Sequence, residues 1–197
     1  MGNLCYTARM VVGIDEVGRG CWAGPLVAGA VMLRRPIQGL RDSKKLTKKQ
    51  RELLNTRIKK QAMAYGLGWV SVSEIDALGL TAAISLAMRR ALQDIAVRCD
   101  EVIIDGSYNF LPDIAGTRCI VRADDTVPSV SAASIIAKVA RDAYMASVAA
   151  GQYPMYGFEK HVGYGTALHR AALLAHGICD LHRRSFAPIK RLLAESL

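Results

Sequence analysis

The sequence predicts an α/β domain built on a mixed central sheet, with a helical C-terminal portion. Three observations carry the prediction: short β-branched apolar runs bounded by turn or charged residues, helical segments alternating with them in the first half, and helices dominating the end. At 197 residues the chain can enclose one core, and no shift in composition divides it. Residues 1–197 are therefore expected as a single domain, helical from about residue 165.

Runs at 11–14, 27–33, 102–104 and 119–121 read as strands, and "AYGLGWVSV" at 64–72 as a fifth. The longest apolar run, "LVAGAVML" at 26–33, is far short of the roughly 18 residues of a membrane span and reads as a buried strand. In "LTKKQRELLNTRIKKQA", Thr47 and Gln50 fit a capping box; Leu53, Leu54 and Ile58 form an apolar stripe opposite a basic face. A second helix is expected over 80–97. A third starts near Ser131 and stops at Gly151, which suits a left-handed cap. The segment "GQYPMYGFEKHVGYGT" at 151–166 is the longest stretch of loop character.

With 51% hydrophobic and 22% charged residues the chain is globular rather than disordered. Its N-terminus, "MGNLCYTARM", lacks the features of a secretory signal, so a cytoplasmic location and no membrane association are expected. Five scattered cysteines without a CxxC pair exclude a disulfide framework or zinc knuckle and are expected as reduced, mostly buried thiols. Lys plus Arg number 26 against 17 acids, a formal charge of +9. Such a surplus attracts polyanions, nucleic acid foremost, or else reflects a solvated surface.

Carboxylates recur at strand ends: Asp15 and Glu16 after "VVGI", Asp105 after "EVII", and Asp124 with Asp125 after "CIVRA". Taken singly, each is an ordinary turn cap. Taken together, strand ends converge at one edge of an α/β sheet, and converging carboxylates repel one another unless a cation sits among them. Oxygen ligands without nearby Cys or His suit Mg²⁺ or Mn²⁺ rather than zinc. Adjacent residues on a regular strand face opposite sides, so either the strand ends at Asp15 or only one of the pair holds metal directly. The glycines of "VGRG" favour the first alternative.

"RDSKKLTKK" at 41–49 places Ser43 and Lys44 at a helix N-terminus, which offers N–H groups to a phosphate or is simply solvated. His176, Cys179 and His182 are spaced by three but lack a fourth ligand, which argues against a metal site. Tyr164, between two glycines, is either a turn residue packed on the core or a stacking platform for a sugar or base.

In their order, "GIDEVGRGCWAGPLVAGAV", "DSKKLT", "VIIDG", "VPSVSAASIIAKVARD", "YGFEKHVGYGT" and "HRRSFAP" resemble the type 2 ribonuclease H family, in particular bacterial ribonuclease HII, over residues 11–188. The resemblance implies a ribonuclease H-like fold with a five-stranded mixed sheet flanked by helices and a helical C-terminal extension. It carries four catalytic and metal-binding carboxylates onto Asp15, Glu16, Asp105 and Asp124. The last is placed by counting back from "VP", where the family usually has Gly-Asp-Ser and this chain has Ala123, Asp124 and Asp125. Val162 stands where the family commonly has lysine.

The implied activity is endonucleolytic: hydrolysis of the RNA strand of RNA–DNA hybrids, and cleavage 5′ of single ribonucleotides in duplex DNA, by two Mg²⁺ or Mn²⁺ ions. Ends with a 3′-hydroxyl and a 5′-phosphate result, and the implied role is removal of ribonucleotides and RNA primers in replication and repair. The backbone of Gly18, Arg19 and Gly20 would read the 2′-hydroxyl, Tyr164 would stack on the next sugar, and Ser43 and Lys44 would hold phosphates. The resemblance implies a monomer whose partners are hybrids and ribonucleotide-containing duplexes. Two other readings are a non-catalytic basic nucleic-acid binder and another metal-dependent nuclease of the same superfamily. Ribonuclease HIII usually carries an additional N-terminal domain, for which the ten residues before the first strand leave no room.

Overall fold

The structure, a computed structural model, describes residues 9–195. Five strands form one sheet in the order β3-β2-β1-β4-β5. They are β1 (Val11–Val17), β2 (Leu26–Met32), β3 (Ala64–Val70), β4 (Glu101–Asp105) and β5 (Thr117–Ile120). β2 runs antiparallel to β1 and β3, whereas β4 runs parallel to β1 and β5, so the sheet is mixed as expected. β1 turns back into β2 through residues 18–25, β2 reaches β3 through a helical connection, and the parallel pairing of β1 with β4 follows a long helical crossover.

The pleat divides β1 between two cores. Val12 and Ile14 join Ala28, Ala30, Val102 and Ile104 beneath α3 (Leu80–Gln93), whose Ile84, Ala87, Met88 and Ala91 face the sheet. The opposite face is covered by α5 (Pro128–Tyr144), through Ala132, Ala133, Ile135 and Ile136 on one side and Val130 on the other. The approach is so close at Gly13 that a Cβ there would lie 2.2 Å from the amide nitrogen of Val130. Only glycine lets α5 seat on β1, and α5 in turn carries Ser134 toward the strand ends.

Helix α1 (Lys48–Gln61) has the predicted Thr47–Gln50 capping box and buries Leu54 and Ile58; Leu53, expected on the same stripe, is exposed. The expected helix over 80–97 is shorter, since the chain turns at Ile95. The segment expected to extend the third strand to residue 72 instead caps and starts α2 (Val72–Leu78) through a Ser71–Glu74 box. After β5 a single turn, α4 (Ala123–Thr126), precedes α5, which begins at Pro128 rather than Ser131. Proline is pre-organised for a first helical position, and Ser131 instead donates back to the carbonyl of Asp124.

Gly151 does not cap this helix. A π-turn over Met145–Ala149 carries the chain into α6 (Ala150–Gln152), and the left-handed residue that redirects it is Gly157. The short α7 (Phe158–His161) leads to α8 (Ala167–His176) and α9 (Ala187–Glu195). The helical end expected from about 165 is thus present. It packs on the segment after β1, where Ala23 meets Met145, Phe158, Leu173 and Ile189. Among the described residues no helix is long and apolar enough to cross a membrane. Of the four cysteines described, all free, Cys21 is buried, but Cys99, Cys119 and Cys179 are half-exposed; Cys5 lies outside the described residues.

Candidate active site

Register brings the acids together. Ile14 pairs with Ile104, so the next residues, Asp15 within β1 and Asp105 at the end of β4, lie side by side on the α5 side. The Asp105 carboxylate then accepts from the amides of Ala123 at 2.7 Å and Asp124 at 3.4 Å, drawing the first turn of α4 against the strand ends. Carboxylate oxygens of Asp15, Asp105 and Asp124 consequently lie within 4.8 Å of one another, the one such His, Cys, Asp or Glu cluster among the described residues. Asp125 points away and pairs with Lys45 at 2.5 Å and Arg122 at 3.2 Å.

Strand β1 does not end at Asp15, contrary to the reading of "VGRG"; it continues through Glu16 to Val17, both still paired with β2. Glu16 therefore leaves on the other side of the pleat and stands outside the three-carboxylate cluster. Its Oε1 lies 3.7 Å from Arg19, while Oε2 is buried without any hydrogen-bond partner. An unpartnered buried carboxylate oxygen is costly, and a cation near Asp105 would complete it.

The electrostatics agree. Burial, then the charges of Glu16 and Asp105, push the Asp15 carboxyl up to about 8. Burial chiefly raises Glu16 as well, with Asp105 adding to it and Arg19 opposing. Asp124 is raised by burial and by its neighbours Asp105 and Asp42, against the pull of Lys44. Carboxyls that resist ionisation in concert, with hard oxygen donors only, suit divalent cations of the Mg²⁺ or Mn²⁺ type.

Around this cluster, Ser43 and Ser134 share a buried hydrogen bond of 2.9 Å, and the Ser134 hydroxyl, near Asp15, opposes the rise of the Asp15 pKa. Lys44 Nζ is 3.9 Å from Asp124, and the Asp42 carboxylate caps the Lys44 amide at 2.9 Å. Asp42 and Ser134 escaped sequence reasoning. Ser131 and Ser134, three apart on a helix, share a face, a spacing that could have drawn notice.

The Gly18-Arg19-Gly20 turn follows β1 directly. Gly18 has φ +90°, and a Cβ there would strike the Arg141 guanidinium at 2.3 Å, whereas the space beside Gly20 is open. Two buried arginines, also missed from sequence, hold this turn by backbone carbonyls alone. Arg183 donates to Arg19 and Gly24, and Arg141 to Ala23, Pro25 and Val162, at 2.8–3.2 Å. Tyr164 is 40% exposed, with Lys138 Nζ 5.6 Å from its ring centroid. Burial, then the nearby Cys21 side chain beside the glycine turn, push the Tyr164 hydroxyl up to about 12. Of the spaced residues His176, Cys179 and His182, none joins a metal cluster; His182 is buried against His169 instead.

The sequence model of the Ribonuclease HII family matches residues 12–189. The chain belongs to that family. It is 51% identical over 191 residues to ribonuclease HII of Verminephrobacter eiseniae, covering 95% of this chain and 90% of that one. Ribonuclease HII of Halorhodospira halophila is 50% identical over 187 residues, covering 93% and 94%. Among solved structures, ribonuclease H2 from Pyrococcus horikoshii superposes with a TM-score of 0.77 at 24% identity, covering 94% and 98% of the two chains. Ribonuclease HII of Archaeoglobus fulgidus, solved as a complex with PCNA, gives 0.75 at 26% identity, covering 88% and 93%. Bst-RNase HIII, solved with Mn²⁺, gives 0.71 at 22% identity over 95% of this chain and 70% of that one. With the family come the ribonuclease H-like fold and the activity. The protein is a divalent-metal-dependent endonuclease of the ribonuclease H type, acting on RNA–DNA hybrids.

Proposed function

We propose that Asp15, Glu16, Asp105 and Asp124 are the catalytic, metal-holding carboxylates, with Mg²⁺ or Mn²⁺ as the ions. The observation that carries this reading is the trio of convergent carboxylates on β1, at the end of β4 and on α4, with the unpartnered oxygen of Glu16 beside it. The bound ions would lower the pKa of the attacking water and neutralise the departing 3′ oxygen. Asp15 and Asp105, on adjacent strands, would hold the centre of the site, and Asp124 and Glu16 would close it from either side.

Selection of a ribonucleotide falls to the glycine turn. Open space at Gly20 lets the backbone approach a sugar, and the Gly18, Arg19 and Gly20 amides and carbonyls would bond the 2′-hydroxyl. Tyr164 would stack on the following deoxyribose, and Ser43 and Lys44 would hold phosphates beside Asp124. We further propose that the chain acts as a monomer and a single domain in the cytoplasm. The test is a DNA duplex with one ribonucleotide, incubated with Mg²⁺ or Mn²⁺ and mapped at the cut. A single cut 5′ of the ribonucleotide, leaving a 3′-hydroxyl and a 5′-phosphate, is expected. Cleavage confined to runs of RNA, or none, overturns the proposal.

A further inference from the structure

Behind Tyr164 stand three buried histidines that take no part in the carboxylate cluster. His161, His169 and His182 are each 6% exposed or less. The rings of His161 and His169 stack with centroids 4.4 Å apart, and Phe158 closes edge-on over both. Their hydrogen bonds assign the proton of each ring. The amide of Cys179 donates to His182 Nδ1 at 2.8 Å, closer than the Cys179 carbonyl at 3.3 Å, so that nitrogen accepts and Nε2 bears the hydrogen. His182 Nε2 donates in turn to His169 Nε2 at 3.0 Å. The hydrogen of His169 is thereby left on Nδ1, which donates to the Tyr164 carbonyl at 3.0 Å. One proton per ring requires neutral imidazoles, and burial pushes both His169 and His182 down to about 4.

This chain ends on a segment whose other polar groups are also claimed. The Val162 carbonyl accepts from Arg141, the Gly163 amide donates to His161 Nδ1, and the Gly163 carbonyl accepts from Trp22 and Ala23. Val162 itself has φ 44°, a left-handed conformation that a β-branched residue holds only when its surroundings impose it. The loop before Tyr164 is thus held away from its relaxed shape by contacts from four directions.

We propose that His169, backed by His182, is a positioning residue for Tyr164. The directed chain from Cys179 through both rings to the Tyr164 carbonyl sets the height of the tyrosine ring over the Gly18–Gly20 turn. It thereby sets selectivity for a ribonucleotide followed by a deoxyribonucleotide. The proposal rests on the assignment of Tyr164 to sugar stacking.

The test compares wild type, His169→Phe, Tyr164→Ala and the double variant on a single-ribonucleotide duplex and on a uniform RNA–DNA hybrid. His169→Phe, which keeps the ring volume, is expected to lose kcat/KM about tenfold on the single ribonucleotide and under about threefold on the hybrid. The loss should vanish in the Tyr164→Ala background, where nothing remains to be positioned. His169→Asn, which keeps a donor at the Nδ1 position, should recover most of the rate. Equal losses on both substrates, or additive losses in the double variant, overturn the proposal and leave His169 a packing residue. If Tyr164→Ala alone leaves single-ribonucleotide cleavage unchanged, the stacking assignment falls, and the proposal with it. Nitrogen-15 spectra of the wild-type histidines test the chain without any variant. They should show His169 protonated on Nδ1 and His182 on Nε2 at neutral pH, and the reverse tautomers or cationic rings overturn it.

Discussion

Asp105 is the residue on which the candidate site is built, because it performs two tasks with one carboxylate. It caps the first turn of α4 through two amides, and it faces Asp15 and Asp124 within metal-sharing distance. Asp105→Asn keeps an oxygen for the amides and removes the charge, so cleavage should fall by at least about a thousandfold with duplex binding largely intact. Turnover within a few-fold of wild type would remove Asp105 from the metal set. At the same scale, the choice between Asp124 and Asp125 rests on their partners. Asp125 is occupied by Lys45 and Arg122, whereas Asp124 is buried and turned to the cluster.

At the scale of elements, the site depends on how closely α5 approaches β1. That helix supplies Ser134 beside Asp15, Lys138 beside Tyr164 and Arg141 beneath the glycine turn, so its seating positions three parts of the site together. Gly13→Ala would drive a methyl into the backbone of Ser129 and Val130. A loss of about 2–4 kcal/mol, beyond the usual overpacking cost because backbone cannot yield as a side chain does, is expected by denaturant titration. Activity at low temperature should fall more than the folded fraction does, since α5 would be displaced along its length. Unchanged midpoint and activity would show that α5 is free to shift.

For the whole molecule, the acids and the histidines make stability depend on pH in opposite directions, and metal offsets the effect of the acids. Asp15 is raised from 3.8 to about 8, with Glu16 and Asp124 raised as well. The folded chain therefore binds more protons than the unfolded one, and metal-free stability falls as pH climbs toward 8. His169 and His182 are lowered to about 4, so stability also falls as pH drops below the ordinary histidine range of about 6.5. Melting temperatures in chelator should be lower at about pH 8.5 than at about pH 6.5, and Mg²⁺ should remove most of that difference. Asp15→Asn should flatten the alkaline slope. A metal-free protein equally stable at both pH values would contradict the raised carboxyls.

The amino-acid sequence was enough for the five strands, the capped first helix, the strand-end acids and, through motif resemblance, the family and its chemistry. These are local signals: β-branched runs, a Thr–Gln box, glycines around Arg19, and acids immediately after apolar segments. Helix limits were less legible: the π-turn after Tyr144 has no pattern in the sequence, whereas the Ser71–Glu74 box is a local signal masked by the apolar run before it. The placement of Glu16 on the far side of the pleat came from β2, which keeps pairing through Val17 where the glycines suggested a break. Arg141, Arg183 and the histidine chain were invisible to pattern reading, since each meets partners 21 to 164 residues away or gains its meaning from burial. Local composition determines which groups are offered at the strand ends. Their convergence, the proton on each ring and the strain at Val162 follow from contacts that exist only when the chain is folded.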